Sequence, residues 1–156
     1  MRIELISVGH KLPDWAEEGT QTYLKRLPAG CPLRLTEIPS APRGKNADID
    51  RVKAIEAERI ERAIPTGARV ILFDERGRDL DTRQWAASLG DWLVEGRDVA
   101  LVIGGPDGVA KSLRQRADET RRLSALTLPH PLVRVLVAEQ IYRAWSLHQN
   151  HPYHRE

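Results

Sequence analysis

At 156 residues, with 41% hydrophobic and 29% charged side chains, the chain has the dimensions of one globular domain, residues 1–156, with a real core. A formal charge of +2 excludes the strongly basic arm of a nonspecific nucleic-acid binder, and no apolar run approaches the roughly 20 residues that span a bilayer, so no membrane partner is expected. Cys31 is the single cysteine, which excludes an internal disulfide and a thiolate metal cluster and reads more simply as a small loop residue than as a catalytic thiol.

The opening MRIELISVGHK runs directly into alternating apolar and polar residues without a signal-peptide core, so a cytoplasmic protein is expected. Ile3 to Val8 reads as a first strand ended by Gly9. Pro13-Asp14 opens a helix with Trp15, Gly19, Tyr23 and Leu27 along one stripe. Leu33 to Ile38 alternates as a half-exposed strand. Pro39 to Ala47 (PSAPRGKNA) is a loop bearing two cations, Arg43 and Lys45; it is either a surface connection or a flap that touches a polyanion.

Asp48 or Asn46 caps a helix over 48–64 with Ile49, Val52, Ile55, Ile60 and Ile64 inward, and Pro65 and Gly67 stop it. Val70 to Phe73 is a strand buried on both faces, ending in Asp74-Glu75-Arg76-Gly77. Asp81-Thr82 starts a helix with Trp85, Leu89 and Trp92-Leu93 inward, closed by Gly96. Val99 to Ile103 is the next buried strand, followed by Gly104-Gly105-Pro106-Asp107-Gly108 and a short helix over 109–117. Leu123 to Leu128 reads as a strand or strand-like loop that ends at the corner Pro129-His130-Pro131.

From Leu132 to Leu147 a final helix is apolar on nearly every side, interrupted by Arg134, Glu139, Gln140, Arg143 and Ser146, so part of it is expected to lie under a second copy of the chain. Strands separated by helices predict an α/β fold, a mostly parallel sheet with helices on both faces and the late strands central.

Ligands of such sheets bind beyond the carboxyl ends of the strands, and three ends stand out: Phe73-Asp74, Gly104 to Gly108, and Leu123 to Pro129. The glycines are neither a dinucleotide fingerprint nor a Walker loop. They are a plain tight turn or a place where backbone approaches a ligand, and three glycines plus a proline in five residues favour the second. Ser124, Ala125 and Thr127, small among apolar neighbours, suit a slot that holds an adenine through backbone hydrogen bonds. His130 fits a structural residue better than a base. The tail NHPYHRE, with Tyr153, His154 and Arg155, is either a fluctuating end or a catalytic strip laid across a neighbouring active site; no H-E-x-x-H or comparable spacing makes it a zinc site, and no metal is expected.

The segments VGHKLPDW, RGKNADI, IGGPDGV, LSALTLPHPLVRVLVAEQIYRAW and NHPYHRE together resemble the ribosomal RNA large-subunit methyltransferase H family, the pseudouridine N3-methyltransferases of the SPOUT class. The resemblance spans the whole chain. It implies a C-terminal trefoil knot, which strand patterning alone does not give. It also implies a homodimer, S-adenosyl-L-methionine as methyl donor, and a pseudouridine of large-subunit rRNA on the assembled ribosome as acceptor. Carried over by position, cofactor binding falls on Phe73, Gly104, Leu123, Ser124, Ala125, Leu126, Thr127 and Leu128. Phe73-Asp74 departs from the leucine and acidic residue common in the family, which puts a larger ring on the cofactor wall.

An imide nitrogen attacks only once its proton leaves, so a base or an anion-stabilising cation is needed. Tyr153, His154 and Arg155, assisted by Arg143, are the expected catalytic set, with His154 as base and the tail of one copy serving the other's pocket. Arg43 and Lys45 are the expected RNA contacts. Two rival readings are a small metal-assisted hydrolase using the tail histidines and a non-enzymatic ribosome assembly factor.

Overall fold

A computed structural model describes residues 1–9 and 11–154. In chain order it contains β1 (Ile3–Val8), α1 (Asp14–Leu24), β2 (Leu33–Ile38), α2 (Ile49–Ala63), β3 (Arg69–Asp79), α3 (Thr82–Glu95), β4 (Val99–Ile103), α4 (Lys111–Arg116), β5 (Glu119–Arg122) and α5 (His130–His148). The strands pair in parallel in the order β2-β1-β4-β3-β5. The expected α/β class, the parallel sheet and the central place of β4 are all present.

Side chains one residue apart on a strand point to opposite faces, and the two halves of the core follow that period of two. Ile3, Leu5, Ile71, Val99, Leu101 and Ile103 pack on one face against Trp85, Leu89 and Trp92 of α3 and Val137, Ala138 and Ile141 of α5. Ile6, Val8, Val70, Leu72, Ala100 and Val102 face the other way, against Ala57 and Ile60 of α2 and Leu113 of α4. Every residue of β4 is buried, as a strand covered on both faces requires.

Helix ends are set by local chemistry. Asp48 caps α2 by accepting from the backbone N–H groups of Asp50 and Arg51. Asp81 and Gln84 form a reciprocal capping box on α3, and Gly96 ends that helix at φ 74°.

Four local expectations need correction. Leu123 to Leu128 is not a strand: the edge position beside β3 is taken by β5, and the chain leaves at Leu123 into a turn where Ser124 Oγ accepts from the Leu126 N–H at 2.9 Å. β3 does not end at Phe73 but runs on to Asp79, with a register irregularity against β5 between Phe73 and Arg78. Trp15 is 55% exposed, because α1 is rotated to bury Ala16 and Thr20. Ile49 lies outside and Glu56 inside on α2.

Much of the apolar surface of α5 is covered within the chain, since α5 packs on α1 and α3. Leu132, Val133, Val135 and Leu136 remain half-buried. Among the described residues no helix is long and apolar enough to cross a membrane.

Candidate active site

The three strand ends converge on one cleft of about 780 Å³. Its walls are Phe73 to Arg76 within β3, Ile103 to Val109 at and after the end of β4, and Arg122 to Leu128 at and after the end of β5, with His130 and Val133 of α5 also lining it. All eight positions expected to hold a cofactor, Phe73, Gly104 and Leu123 through Leu128, line this space. The Phe73 ring stacks on Trp85 from behind, with centroids 5.7 Å apart, so its position is fixed by packing.

Glycine is required at particular points of the wall. A Cβ on Gly104 would lie 2.4 Å from Val109 Cγ1, well inside contact distance. Gly105 to Gly108 makes a tight turn in which the Gly108 N–H donates to Gly105 O at 3.0 Å, and Gly108 sits at φ +82°. Beside the cleft lining, Gly77 packs so closely on β5 that a Cβ would fall 2.4 Å from the Arg121 backbone.

The cleft combines an apolar interior with charges of both signs, since Arg76 and Arg122 line it as well as three carboxylates. Asp74, Glu75 and Asp107 line it beside Ile103, Val109, Leu123, Leu126 and Val133. Leu126 is 74% exposed and forms an apolar lip. Arg114 lies behind the rim, 3.7 Å from Asp74 Oδ2 and donating to Val109 O at 3.2 Å. Arg122 is engaged with Asp79 outside the cleft.

Arg43 and Lys45 part company. Lys45 is exposed at the tip of the 39–47 loop. Arg43 is held by two carboxylates, with Nε 2.5 Å from Asp107 Oδ2 and Nη2 2.9 Å from Glu56 Oε2. Glu56 is only 2% exposed and also accepts from the Ala41 N–H at 3.0 Å.

Beneath the cleft, α5 is clamped to the carboxyl end of β1. His130 Nε2 lies 2.6 Å from Val8 O. A carbonyl only accepts, so Nε2 carries the ring proton and donates. Burial, chiefly, holds this imidazole below its ordinary value, with the charge of Arg134 acting in the same direction. One turn on, the buried Arg134 donates to Ser7 Oγ at 3.3 Å, Gly9 O at 3.1 Å and Glu37 Oε2 at 2.8 Å. His130 therefore has the structural contacts expected of it.

The C-terminal residues gather elsewhere, at the far end of α5. The tail is held along α5 between Glu139 and Ser146, roughly 9 to 20 Å beyond Val133 at 1.5 Å per residue, with His154 at the far end. Tyr153 packs edge-on against Tyr142 at 4.6 Å and donates to Glu139 Oε1 at 3.2 Å. Arg143 donates to the same oxygen at 2.7 Å and lies over the Tyr153 ring at 5.1 Å. Burial first, then the hydrogen bond with Tyr23 and the charge of Glu139, raise the Tyr153 phenol above its ordinary range. It is a donor here and not a base.

Ser146, fully buried, organises the rest of the tail. Its hydroxyl donates to His151 O at 3.0 Å and accepts from the His154 N–H at 3.3 Å. With its single proton so used, Ser146 Oγ also accepts from His154 Nδ1 at 2.9 Å, which leaves His154 Nε2 as the unprotonated nitrogen. Arg155 lies outside the described residues.

Sequence reasoning missed Glu56, and it read Arg134, Glu139 and Ser146 only as interruptions of the final apolar helix, without a role. Each carried a signal, a polar residue on an otherwise apolar helical stripe. Cys31 lies in the loop between α1 and β2, as expected, with its side chain buried against the core, and burial pushes its thiol up to about 11, away from nucleophilic character. Among the described residues no three His, Cys, Asp or Glu side chains group as metal ligands would.

The chain is similar to known proteins along its whole length. Residues 1–154 match a family model described as predicted SPOUT methyltransferase. A protein of Hydrogenovibrio crunogenus named ribosomal RNA large subunit methyltransferase H is 56% identical over 156 residues, covering 100% of both chains. Proteins of the same name from Methylibium petroleiphilum and Thioalkalivibrio sulfidiphilus are 52% and 51% identical, again over the full length of both chains. Among solved structures, a probable methylase family protein from Haemophilus influenzae shares the fold at a TM-score of 0.58 and 15% identity, over 99% of this chain and 70% of that one.

Proposed function

Because the chain belongs to the SPOUT methyltransferase family, we propose that it is a methyltransferase of large-subunit ribosomal RNA that uses S-adenosyl-L-methionine, acts as a homodimer on the assembled ribosome, and methylates N3 of a pseudouridine. The observation that carries this reading is the convergence of three strand ends on one cleft. The same reading makes the chain beyond β4 the knotted part of the fold.

The cleft fits the donor. An adenine needs an apolar slot edged by backbone donors and acceptors, and the turning segment Leu123 to Leu128, unpaired by any strand, supplies both beside Phe73 and Ile103. Gly104 lets the turn lie close against Val109, and Gly108 at φ +82° lets it fold back along the cleft wall. A sulfonium is cationic, and the carboxylates Asp74, Glu75 and Asp107 among the lining residues are the groups that attract it, beside the arginines Arg76 and Arg122. When bound, the donor supplies a methyl already activated for displacement.

The chain's own residues then have two tasks, alignment and removal of the imide proton. Phe73, pinned by Trp85, and the glycine turn fix the donor's side of the geometry. His154 Nε2 accepts the imide proton, and Ser146 holds the ring in the tautomer this requires. Tyr153 and Arg143, tied together through Glu139, present a neutral donor and a cation toward the anion that forms, and Arg155 adds a second positive charge. With roughly 20 Å of helix between Val133 in a cleft and Ser146, which holds His154, the base comes from the second copy of the chain.

Lys45 on the exposed loop is the proposed rRNA contact. A chain of formal charge +2 offers little nonspecific affinity for polyanions, so the shaped ribosome and not free RNA is the substrate. The test is transfer of labelled methyl from S-adenosylmethionine to purified ribosomes and, in parallel, to protein-free rRNA, followed by nucleoside analysis. The expected product is an N3-methylated pseudouridine formed on ribosomes only. Absence of label on ribosomes, or methylation of another nucleoside, would overturn the reading.

A further inference from the structure

Arg43 looks like a cation waiting for RNA, yet its surroundings give it other work. It is the bridge between three elements: the 39–47 loop that carries it, Glu56 on α2, and Asp107 in the turn after β4. Glu56 is 2% exposed, and a carboxylate that far from water is costly unless it is paired and hydrogen-bonded. The Ala41 N–H and the Arg43 guanidinium satisfy it together. The guanidinium's other edge carries Nε, which donates to Asp107 at 2.5 Å. Between these groups runs Gly105, where a Cβ would sit 2.9 Å from Glu56 Oε1 and 3.0 Å from Arg43 Nη2. The space above that glycine is therefore occupied by the ion pair, and the turn it begins forms one wall of the cleft.

We infer that Arg43 is a positioning residue for the methyl donor: through Asp107 it fixes the Gly105 to Gly108 turn, and so sets donor affinity without itself touching donor or RNA. The inference rests on the reading that this cleft holds S-adenosylmethionine. Asp107 is the only one of the three charged groups that lines the cleft among the described residues. A turn held at one end by the β4 ladder and at Asp107 by a doubly bound guanidinium has little freedom left to lose when a ligand seats against it. The exposed Lys45, two residues along the same loop, has no such tie to the cleft wall.

The test is a double-mutant cycle on donor binding, by calorimetry with S-adenosylmethionine and its demethylated product, using Arg43→Gln, Asp107→Asn and the pair. Each single change is expected to weaken donor binding about tenfold, with the double no worse than the weaker single variant. In the Asp107→Asn background, Arg43→Gln then changes affinity by less than about twofold. Turnover at saturating donor is retained while the KM for donor rises, a split that general loss of folded protein does not produce.

Gly105→Ala, which disturbs the pair by bulk without removing charge, is expected to reproduce the Arg43→Gln phenotype, and Arg43→Lys to recover part of the affinity. Lys45→Gln leaves donor affinity unchanged. Additive effects of Arg43 and Asp107, or normal donor affinity in Arg43→Gln with a raised KM for ribosomes, would overturn the inference and return Arg43 to the RNA surface. If the wild-type chain binds no donor, the reading of the cleft fails first, and that result is distinct from either.

Discussion

Replacing Gly104 by alanine places a single methyl where the cleft wall has no room for it. The added Cβ would lie 2.4 Å from Val109 Cγ1, against an ordinary carbon contact of roughly 3.5 to 4.0 Å, so more than an ångström of overlap must be relieved. Val109 is 4% exposed and packed against the core beneath α4, so its side chain cannot simply swing into solvent. Overpacking of this kind costs about 1–3 kcal/mol, which for a domain of this size lowers Tm by roughly 3–10 °C.

Some of that strain is relieved by moving the turn, and the turn is a wall of the cleft, so donor affinity falls with stability. The assay is thermal unfolding together with calorimetric titration of S-adenosylmethionine, on Gly104→Ala, Val109→Ala and the double variant. Val109→Ala removes the clashing carbon, so it lowers stability alone but restores binding when combined with Gly104→Ala. Wild-type donor affinity in Gly104→Ala, or a double variant as weak as the single, would refute the idea that close backbone approach at Gly104 shapes the site.

Other consequences are equally concrete. His154→Ala is expected to leave donor binding intact and to depress methyl transfer about 100-fold or more, in the range of a lost general base, and unchanged turnover on ribosomes would remove it from the mechanism. Ser146→Ala takes away three hydrogen bonds of the tail, so it should lower transfer far more than donor binding, at a stability cost of about 1–2 kcal/mol measured by urea unfolding. His130 is favoured neutral in the folded state, so its contribution is whole above the ordinary imidazole value of 6.5 and is lost as pH falls below that through the depressed folded value. Unfolding titrations at successively lower pH should show this loss, and His130→Gln should flatten it while still donating to Val8 O.

How far the sequence carries depends on which physical signal a residue leaves. Strands buried on both faces announce themselves as unbroken apolar runs, which is why Val70 to Phe73 and Val99 to Ile103 were legible, and with them two of the three walls of the cleft. Leu123 to Leu128 has the composition of a strand but none of its pairing, since β5 ends just before it and Ser124 turns the chain. Its value to the site lies in being an unpaired backbone whose N–H and C=O groups are not spent on a ladder. The pairing of Arg43 with Glu56 and Asp107 joins residues 13 and 64 positions apart, a relation that helical or strand periodicity does not encode. In the same way the tail reads as a loose end until Ser146, Tyr142 and Glu139 are seen to hold it.

The account divides one reaction between two copies of the chain, with the donor in one cleft and the proton acceptor on the other's last residues. Mixing a cleft variant such as Gly104→Ala with a tail variant such as His154→Ala, after dissociation and reassociation, measures that division directly. Random pairing makes about half the dimers mixed, each with one intact site of two, so methyl transfer to ribosomes should recover to about a quarter of the wild-type rate. A mixture no more active than its separate components would place cleft and base on the same chain and contradict the account.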